Sequence, residues 1–261
     1  MIDLHSHIIA NNANTDKANV IDWEGVMTIA RMALEDGIEH VVWSPEYRVG
    51  QINDDEVSQN ESLLNTISLK LHEVGFPLTL TLGADFHVSQ SQGSVVRAEV
   101  AKVTRSRYVL LSFSQVYLPD NFEDIIRQLL SEGCVPIIAH PERLSWINEK
   151  YHVIRTLIDD GAWVQITADS FTGYFGRKAR YWAERFMTEG VIHVIASEAH
   201  NVDGRPPILS EAKQILESNL SATEVHKIMR LRPQMIVKNQ ACDVDLLPPG
   251  VNFGWQAEKV S

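Results

Sequence analysis

The sequence predicts a parallel α/β barrel, and three observations lead there. Five amphipathic stretches each close on an acidic or small cluster ending in glycine, followed at once by an apolar or β-branched run: "EDGIEHVVW", "EVGFPLTLTL", "SEGCVPIIAH", "DDGAWVQIT" and "TEGVIHVIAS". Helix and strand signals alternate along most of the chain, the order that builds a parallel sheet. A doubly wound open sheet is the alternative, but no glycine-rich phosphate loop follows the first apolar run.

Each element is justified in turn. The opening run gives a strand near residues 1–4, and Gly37, Gly75, Gly133, Gly161 and Gly190 mark helix-to-strand junctions, because glycine just past a helix takes positive φ. Strands follow near residues 39–43, 77–82, 135–139, 162–167 and 191–196, and "RYVLLSF" supplies another near 107–112, making seven. Leu64, Ile67, Leu71 and Val74 share one helical face, as do Ile125, Ile126, Leu129 and Leu130, so these positions read as core. Residues 206–239 read as two further helices. The organisation is then one barrel domain over residues 1–240 and an irregular tail over 241–261, whose Phe253 and Trp255 pack on the barrel itself or on a neighbouring subunit.

Bulk properties narrow the function. A chain of 261 residues with 44% hydrophobic composition can bury a sizeable core. Its net charge of −11, with no basic block, repels nucleic-acid phosphates and anionic membrane surfaces, so a small or peptide-borne substrate fits better. Two cysteines, Cys134 and Cys242, make no disulfide framework and suit a reducing compartment. With neither a signal-peptide pattern nor a membrane-length apolar run, the expected location is the cytoplasm.

In such barrels, side chains at the C-terminal strand ends converge on one mouth. The strand ends here carry His5 and His7, then Glu46 in "WSPEYR", Asp85 and His87 in "GADFHV", Ser112, His140 in "IIAHPER", Thr167 and Asp169, and Glu198 and His200 in "IASEAHN". His87 and Asp169 also read as ordinary loop-surface groups. Imidazoles and carboxylates without paired thiolates suit Mn²⁺, Fe²⁺ or Zn²⁺, and a bridging carboxylate can hold two ions about 3.5–4 Å apart. Arg143 follows His140 by three residues and Arg205 follows His200 by five. Guanidinium forks there match phosphate oxygens, although each could instead pair with a surface carboxylate. Phosphoester hydrolysis is the reaction these residues favour.

"DLHSHI", "IIAHPER", "QITADSFTGYFGRKA" and "VIASEAHNVDGRPP", in that order, resemble the PHP (polymerase and histidinol phosphatase) superfamily, specifically its bacterial tyrosine-phosphatase branch of capsular and exopolysaccharide synthesis. The resemblance runs from residue 2 to about 240. It implies a distorted (β/α)7 barrel, two and up to three metal ions, usually manganese, and hydrolysis of phosphotyrosine on a tyrosine autokinase. By position, it implies that His5, His7, Asp85 and Glu198 hold the first ion, that His140 holds the second, that Glu46 and His200 fall at the third, and that Arg143 and Arg205 clamp the phosphate.

Several positions depart from that pattern. Glu46 stands where the branch has histidine, Asp85 is shorter and Glu198 longer than usual, and these swaps keep a metal-binding group. Ser112 replaces a glutamate, and "NNANTD" replaces an acidic first loop, leaving Asp16 as a substitute. A retuned enzyme is the favoured expectation. The alternative is a PHP-fold regulator that binds a kinase or phosphopeptide without hydrolysis. An amidohydrolase barrel also opens with His-X-His, but no lysine ends the fourth strand here and no histidine the sixth.

Overall fold

The computed structural model describes residues 1–7, 21–88 and 96–251. Asp16, Phe253 and Trp255 lie outside the described residues. Nine strands occur among those described: β1 (Ile2–Ser6), β2 (His40–Trp43), β3 (Glu46–Arg48), β4 (Thr79–Leu82), β5 (Asp85–Val88), β6 (Tyr108–Phe113), β7 (Val135–Ala139), β8 (Trp163–Thr167) and β9 (Val194–Ala196). Every pairing is parallel.

The seven expected strands are present, with β2 and β4 as the second and third, and after a break each of these two is followed by a short further strand, β3 or β5, beyond the expected bounds. Ser44–Pro45 separates β2 from β3, and Gly83–Ala84 separates β4 from β5. Proline brings no N–H to a ladder. At Gly83 an added Cβ would stand 2.5 Å from Val42 Cγ1 and 3.0 Å from Ser44 Oγ, so the two breaks press together where only glycine fits. The interruptions divide the wall into the sheets β1-β2-β4 and β3-β5-β6-β7-β8-β9. The ring closes where Ser6 bridges Ala199, with the His7 N–H donating to Ala199 O and the Glu198 N–H to His5 O, each at 2.8 Å.

Around this wall lie α1 (Trp23–Glu35), α2 (Asp54–Glu73), α3 (Val96–Val103), α4 (Phe122–Ser131), α5 (Ile147–Asp159), α6 (Ala168–Thr172) and α7 (Gly176–Thr188). The predicted closing pair becomes α8 (Ser210–Asn219) and a longer segment built of α9 (Ala222–His226), a π-helical turn over Lys227–Leu231, and α10 (Arg232–Val237). All five junction glycines take positive φ, between 66° and 115°. Leu64, Ile67, Leu71, Ile125, Ile126 and Leu129 are buried as expected, each worth ~1.5–3 kcal/mol of transfer free energy. Val74 is an exception: α2 ends at Glu73, so Val74 caps the helix and stays 47% exposed.

Alternation along the strands sorts the interior into two layers. Val109, Leu111, Val164, Ile166 and Ile195 join the core between strands and helices, whereas Tyr108, Ile137, Trp163 and Val194 form a smaller core inside the ring. Gln165 and Thr167 share the inward phase of Trp163, and Ser112 that of Tyr108, which points polar groups at one end of the barrel. No helix among the described residues is long and apolar enough to cross a membrane.

Candidate metal centre and arginine clamp

His5 and His7, on β1 and just past it, bring their Nε2 atoms to 2.8 Å of each other, with Asp85 Oδ2 at 3.6 Å and 4.0 Å from them. Asp85 opens β5, immediately after the Gly83–Ala84 break. His5 Nδ1 lies 2.8 Å from Gln165 Oε1. With the amide oxygen accepting from Nδ1, His5 presents the lone pair of Nε2 to the cluster.

Two strand ends hold strained backbone. His140 (φ 38°, ψ 50°) and Glu198 (φ 52°) are left-handed without being glycine, a conformation costing roughly 1–3 kcal/mol that the surrounding structure must hold in place. Pro141 disfavours the right-handed helical region for His140. At Glu198 the bond to the His5 carbonyl and the tether one residue earlier fix the turn. That tether is Asp3, whose Oδ1 accepts the Ser197 N–H at 2.9 Å and whose Oδ2 accepts the Ser197 hydroxyl at 2.5 Å.

The two turns carry a second group to the first. His7, Glu198 and His200 offer ligand atoms within 4.8 Å of one another, as do His5, His7 and Asp85, so His7 belongs to both sets. His140 Nε2 is 3.7 Å from Glu198 Oε1. The His7 and His200 rings lie 4.6 Å apart between centroids.

Glu198 also meets both arginines. Its Oε2 accepts from Arg143, from Arg205 at 3.0 Å and from the Thr167 hydroxyl at 3.1 Å, while the Arg205 Nη2 also reaches the Glu198 backbone carbonyl at 2.7 Å. The two guanidiniums lie against the Phe175 ring, 4.0 Å and 5.4 Å from its centroid. Glu142 supports this corner from below, its Oε1 accepting from the Thr167 N–H at 3.0 Å and the Ser170 hydroxyl at 2.7 Å.

Charge follows from this packing. Burial lowers the pKa of His7 to about 3 and of His140 and His200 to about 4, assisted by the cationic form of His5 at His7 and by the arginine charges at the other two. These imidazoles are therefore neutral, as metal ligands must be. Burial alone would raise Glu198, but His140, Arg143, His5 and Arg205 outweigh it and hold the carboxyl well below its ordinary value. In the buried His5–Asp85 pair the ion-pair attraction overcomes desolvation, raising His5 and lowering Asp85. Glu142, with burial dominant, is pushed up to about 7.

The donor set fits a divalent cation. Asp85 Oδ1 and His140 Nδ1 are buried without a hydrogen-bond partner among the described residues, although a buried acceptor is costly to leave unpaired. Imidazoles and carboxylates converge, and no thiolate is among them. A cleft of about 350 Å³ opens above them, with Ser112 and Tyr117 in its lining.

Comparison with known proteins gives the lineage. The model of the family "capsular polysaccharide synthesis, CpsB/CapC" matches residues 1–238. The chain belongs to the CpsB/CapC family. Among its relatives, the tyrosine-protein phosphatase YwqE of Bacillus subtilis is 26% identical over 243 residues, 92% of each chain. The tyrosine-protein phosphatase CpsB of Streptococcus pneumoniae is 26% identical over 246 residues, 92% of this chain and 99% of the relative. A solved chain from the work on YwqE and CpsB, described as unique metal-dependent tyrosine phosphatases, superposes with a TM-score of 0.79 at 26% identity, covering 93% of this chain and 96% of the other.

Against the CpsB/CapC expectation, the structure gathers His5, His7, Asp85, His140, Glu198, His200, Arg143 and Arg205 at one mouth. Glu46 lines the same cleft, but its side chain is half exposed and faces Arg48 at 3.5 Å, outside both ligand sets. Ser112 Oγ is 3.5 Å from His87 Nδ1 and brings no carboxylate. Asp169, in α6, has its carboxyl raised by burial. Four supporting residues escaped the sequence reading: Asp3, Glu142, Gln165 and Phe175. Signals existed for Gln165, a polar residue in the inward phase of the otherwise apolar "WVQIT", and for Asp3, which shares the phase of His5 in "IDLHS".

Proposed function

We propose that this member of the CpsB/CapC family is a metal-dependent protein-tyrosine phosphatase. Its substrate is a phosphotyrosine protein of capsular or exopolysaccharide synthesis, a tyrosine autokinase, in the cytoplasm. One observation carries the reading: two histidine–carboxylate sets joined through His7 lie beside two guanidiniums at a single mouth. In this reading His5, His7 and Asp85 hold one cation, and His140, Glu198 and His200, with His7 between, hold a second. Mn²⁺ suits the set best, with Fe²⁺ or Zn²⁺ its competitors. Glu46 would join a third only by turning from Arg48. The working unit is the barrel of residues 1–240, with 241–261 appended.

A bound divalent cation supplies Lewis acidity towards phosphoryl oxygens and a lowered pKa for water. The chain's own residues do the rest. Arg143 and Arg205, backed by Phe175, turn N–H forks towards the equatorial oxygens of the phosphoryl group and stabilise the charge on them. Both forks now rest on Glu198, so phosphate must compete with that carboxylate, and Glu198 Oε2 is freed when it does. Gln165 keeps His5 in one tautomer, and Thr167 and Glu142 hold the corner under the arginines. A phenol, with a parent pKa of about 10, is a good enough leaving group to need no dedicated acid.

Metal content by mass spectrometry on protein purified without chelator, paired with turnover of a phosphotyrosyl peptide, tests this. Two ions and metal-dependent turnover are expected. In that preparation Arg143→Ala should lower kcat by ~10²-fold while leaving metal content unchanged. Unaltered kinetics would remove Arg143 from the clamp. Ser112 and the turn of Glu46 towards Arg48 favour a second reading, a regulator that holds a phosphopeptide without cleaving it. Recovery of intact phosphopeptide from the metal-loaded protein would support that one instead.

A further inference from the structure

Below the metal-binding groups the barrel is neither closed nor full. β4 pairs with β2 and with no other described strand, and β6 meets β5 only along Leu111–Phe113. The wall is therefore unpaired between β4 and the first half of β6. Behind this seam lies a cavity of about 300 Å³, walled by Leu4, Val42, Leu110, Ile137 and Val194. Small barrels normally fill that space with layers of side chains. Here the glycine at the strand break offers none.

The cavity is apolar in its body and polar at its two ends. At the deep end stands Gln165, fully buried, whose Oε1 is taken by His5 and whose Nε2 has no hydrogen-bond partner among the described residues. An amide N–H left unpaired in the interior is costly, and a guest's acceptor atom would satisfy it. At the outer end are Arg105 and Ser106, just before β6, and Asn239, just past α10. Arg105 is exposed and joins no ion pair among the described residues, in a chain whose acidic side chains outnumber its basic ones 34 to 23. Volumes from about 300 Å³ upward, apolar with a few placed polar groups, are those of small-molecule sites.

We propose that this cavity is a binding site for a small amphipathic carboxylate, distinct from the phosphate clamp. The guest's carboxylate meets Arg105 at the seam, its apolar body fills the ring, and one acceptor oxygen at its far end takes the Gln165 Nε2 proton. Such a guest would touch the residue that orients His5 without entering the catalytic cleft.

The probe is 4-hydroxyphenylacetate, with tyrosol as its uncharged counterpart. Binding is followed by ligand-observed NMR and calorimetry on the full chain, stripped of cations and held in excess inorganic phosphate to occupy the arginine clamp. Because no turnover enters, failure of the phosphatase reading would leave this result untouched. Leu110→Phe, which fills the cavity, should abolish binding of both probes. Arg105→Gln, an exposed and structurally safe change, should weaken 4-hydroxyphenylacetate by about tenfold and leave tyrosol unchanged. Absence of binding to the unaltered chain, binding that survives Leu110→Phe, or equal affinity for the acid in Arg105→Gln would each overturn the proposal.

Discussion

Gln165 shows how much one side chain outside the ligand set can decide. It touches no cation in the proposed site, yet it fixes which nitrogen of His5 carries the proton. Removing such a partner typically costs ~10–100-fold in metal affinity, so Gln165→Leu should weaken the first cation by that much in a competition titration with a chromophoric chelator. Glu142 makes a different prediction, about pH. Its pKa is about 7 folded against an ordinary 4.5, so the native state binds its proton more tightly than the unfolded chain does. The stabilisation is complete below about 4.5 and is lost as pH rises through about 7, at ~1.4 kcal/mol per unit of pKa difference. Glu142→Gln keeps the acceptor for Thr167 and Ser170 without the ionisation. Melting curves of chelated protein should therefore show wild type falling behind the variant as pH rises from about 4.5 to about 7 and running parallel to it above, whereas curves parallel throughout would mean that the carboxyl ionises normally.

Among the elements, the two broken strands matter most. An unbroken second and third strand would carry Glu46 and Asp85 onward in the alternation of the preceding segment. The breaks keep that phase, with Tyr47, Phe86 and Val88 in the outer core as Val41 and Trp43 are, so Asp85 faces His5 and Glu46 lines the same cleft while meeting Arg48. Gly83 permits the break because the neighbouring strand lies against it. Gly83→Val would drive its side chain into Val42 and Ser44, and overpacking of this kind costs ~1–3 kcal/mol. A urea denaturation midpoint lowered accordingly, at unchanged m-value, is the expected outcome. An unmoved midpoint would show that the break relaxes freely.

Across the whole molecule, the candidate site sits where the ring closes, beside the Ser6–Ala199 bridge. His5 lies on the first strand with His7 just past it, and Glu198 and His200 follow the last strand, so in the proposed site a cation held by these residues would tie the barrel's first strand to its last. Binding to the native state alone stabilises by ~2.7 kcal/mol at a ligand concentration one hundred times Kd. Mn²⁺ added to chelated protein should raise Tm in proportion to the logarithm of its concentration, and Asp85→Asn should flatten that response. A Tm indifferent to Mn²⁺ would contradict the bridging geometry.

Periodicity and glycine punctuation made the alternating architecture legible, because helix stops and strand alternation are local properties of the chain. Strand-end positions made most of the mouth legible for the same reason: His5, His7, Asp85, His140, Glu198 and His200 each stand where a barrel strand gives out. What stayed hidden depends on contacts between distant segments. Nothing local tells that both arginines rest on Glu198, that Phe175 lies beneath them, or that Val74 falls past its helix. The same holds for the seam between β4 and β6, which exists because two strands break side by side. The sequence by itself determined which residue types arrive at the barrel mouth, since that follows from short-range pattern. Only the tertiary structure decided which of them meet, because hydrogen-bond reach of about 3 Å is set by register, strand breaks and strained turns rather than by spacing along the chain.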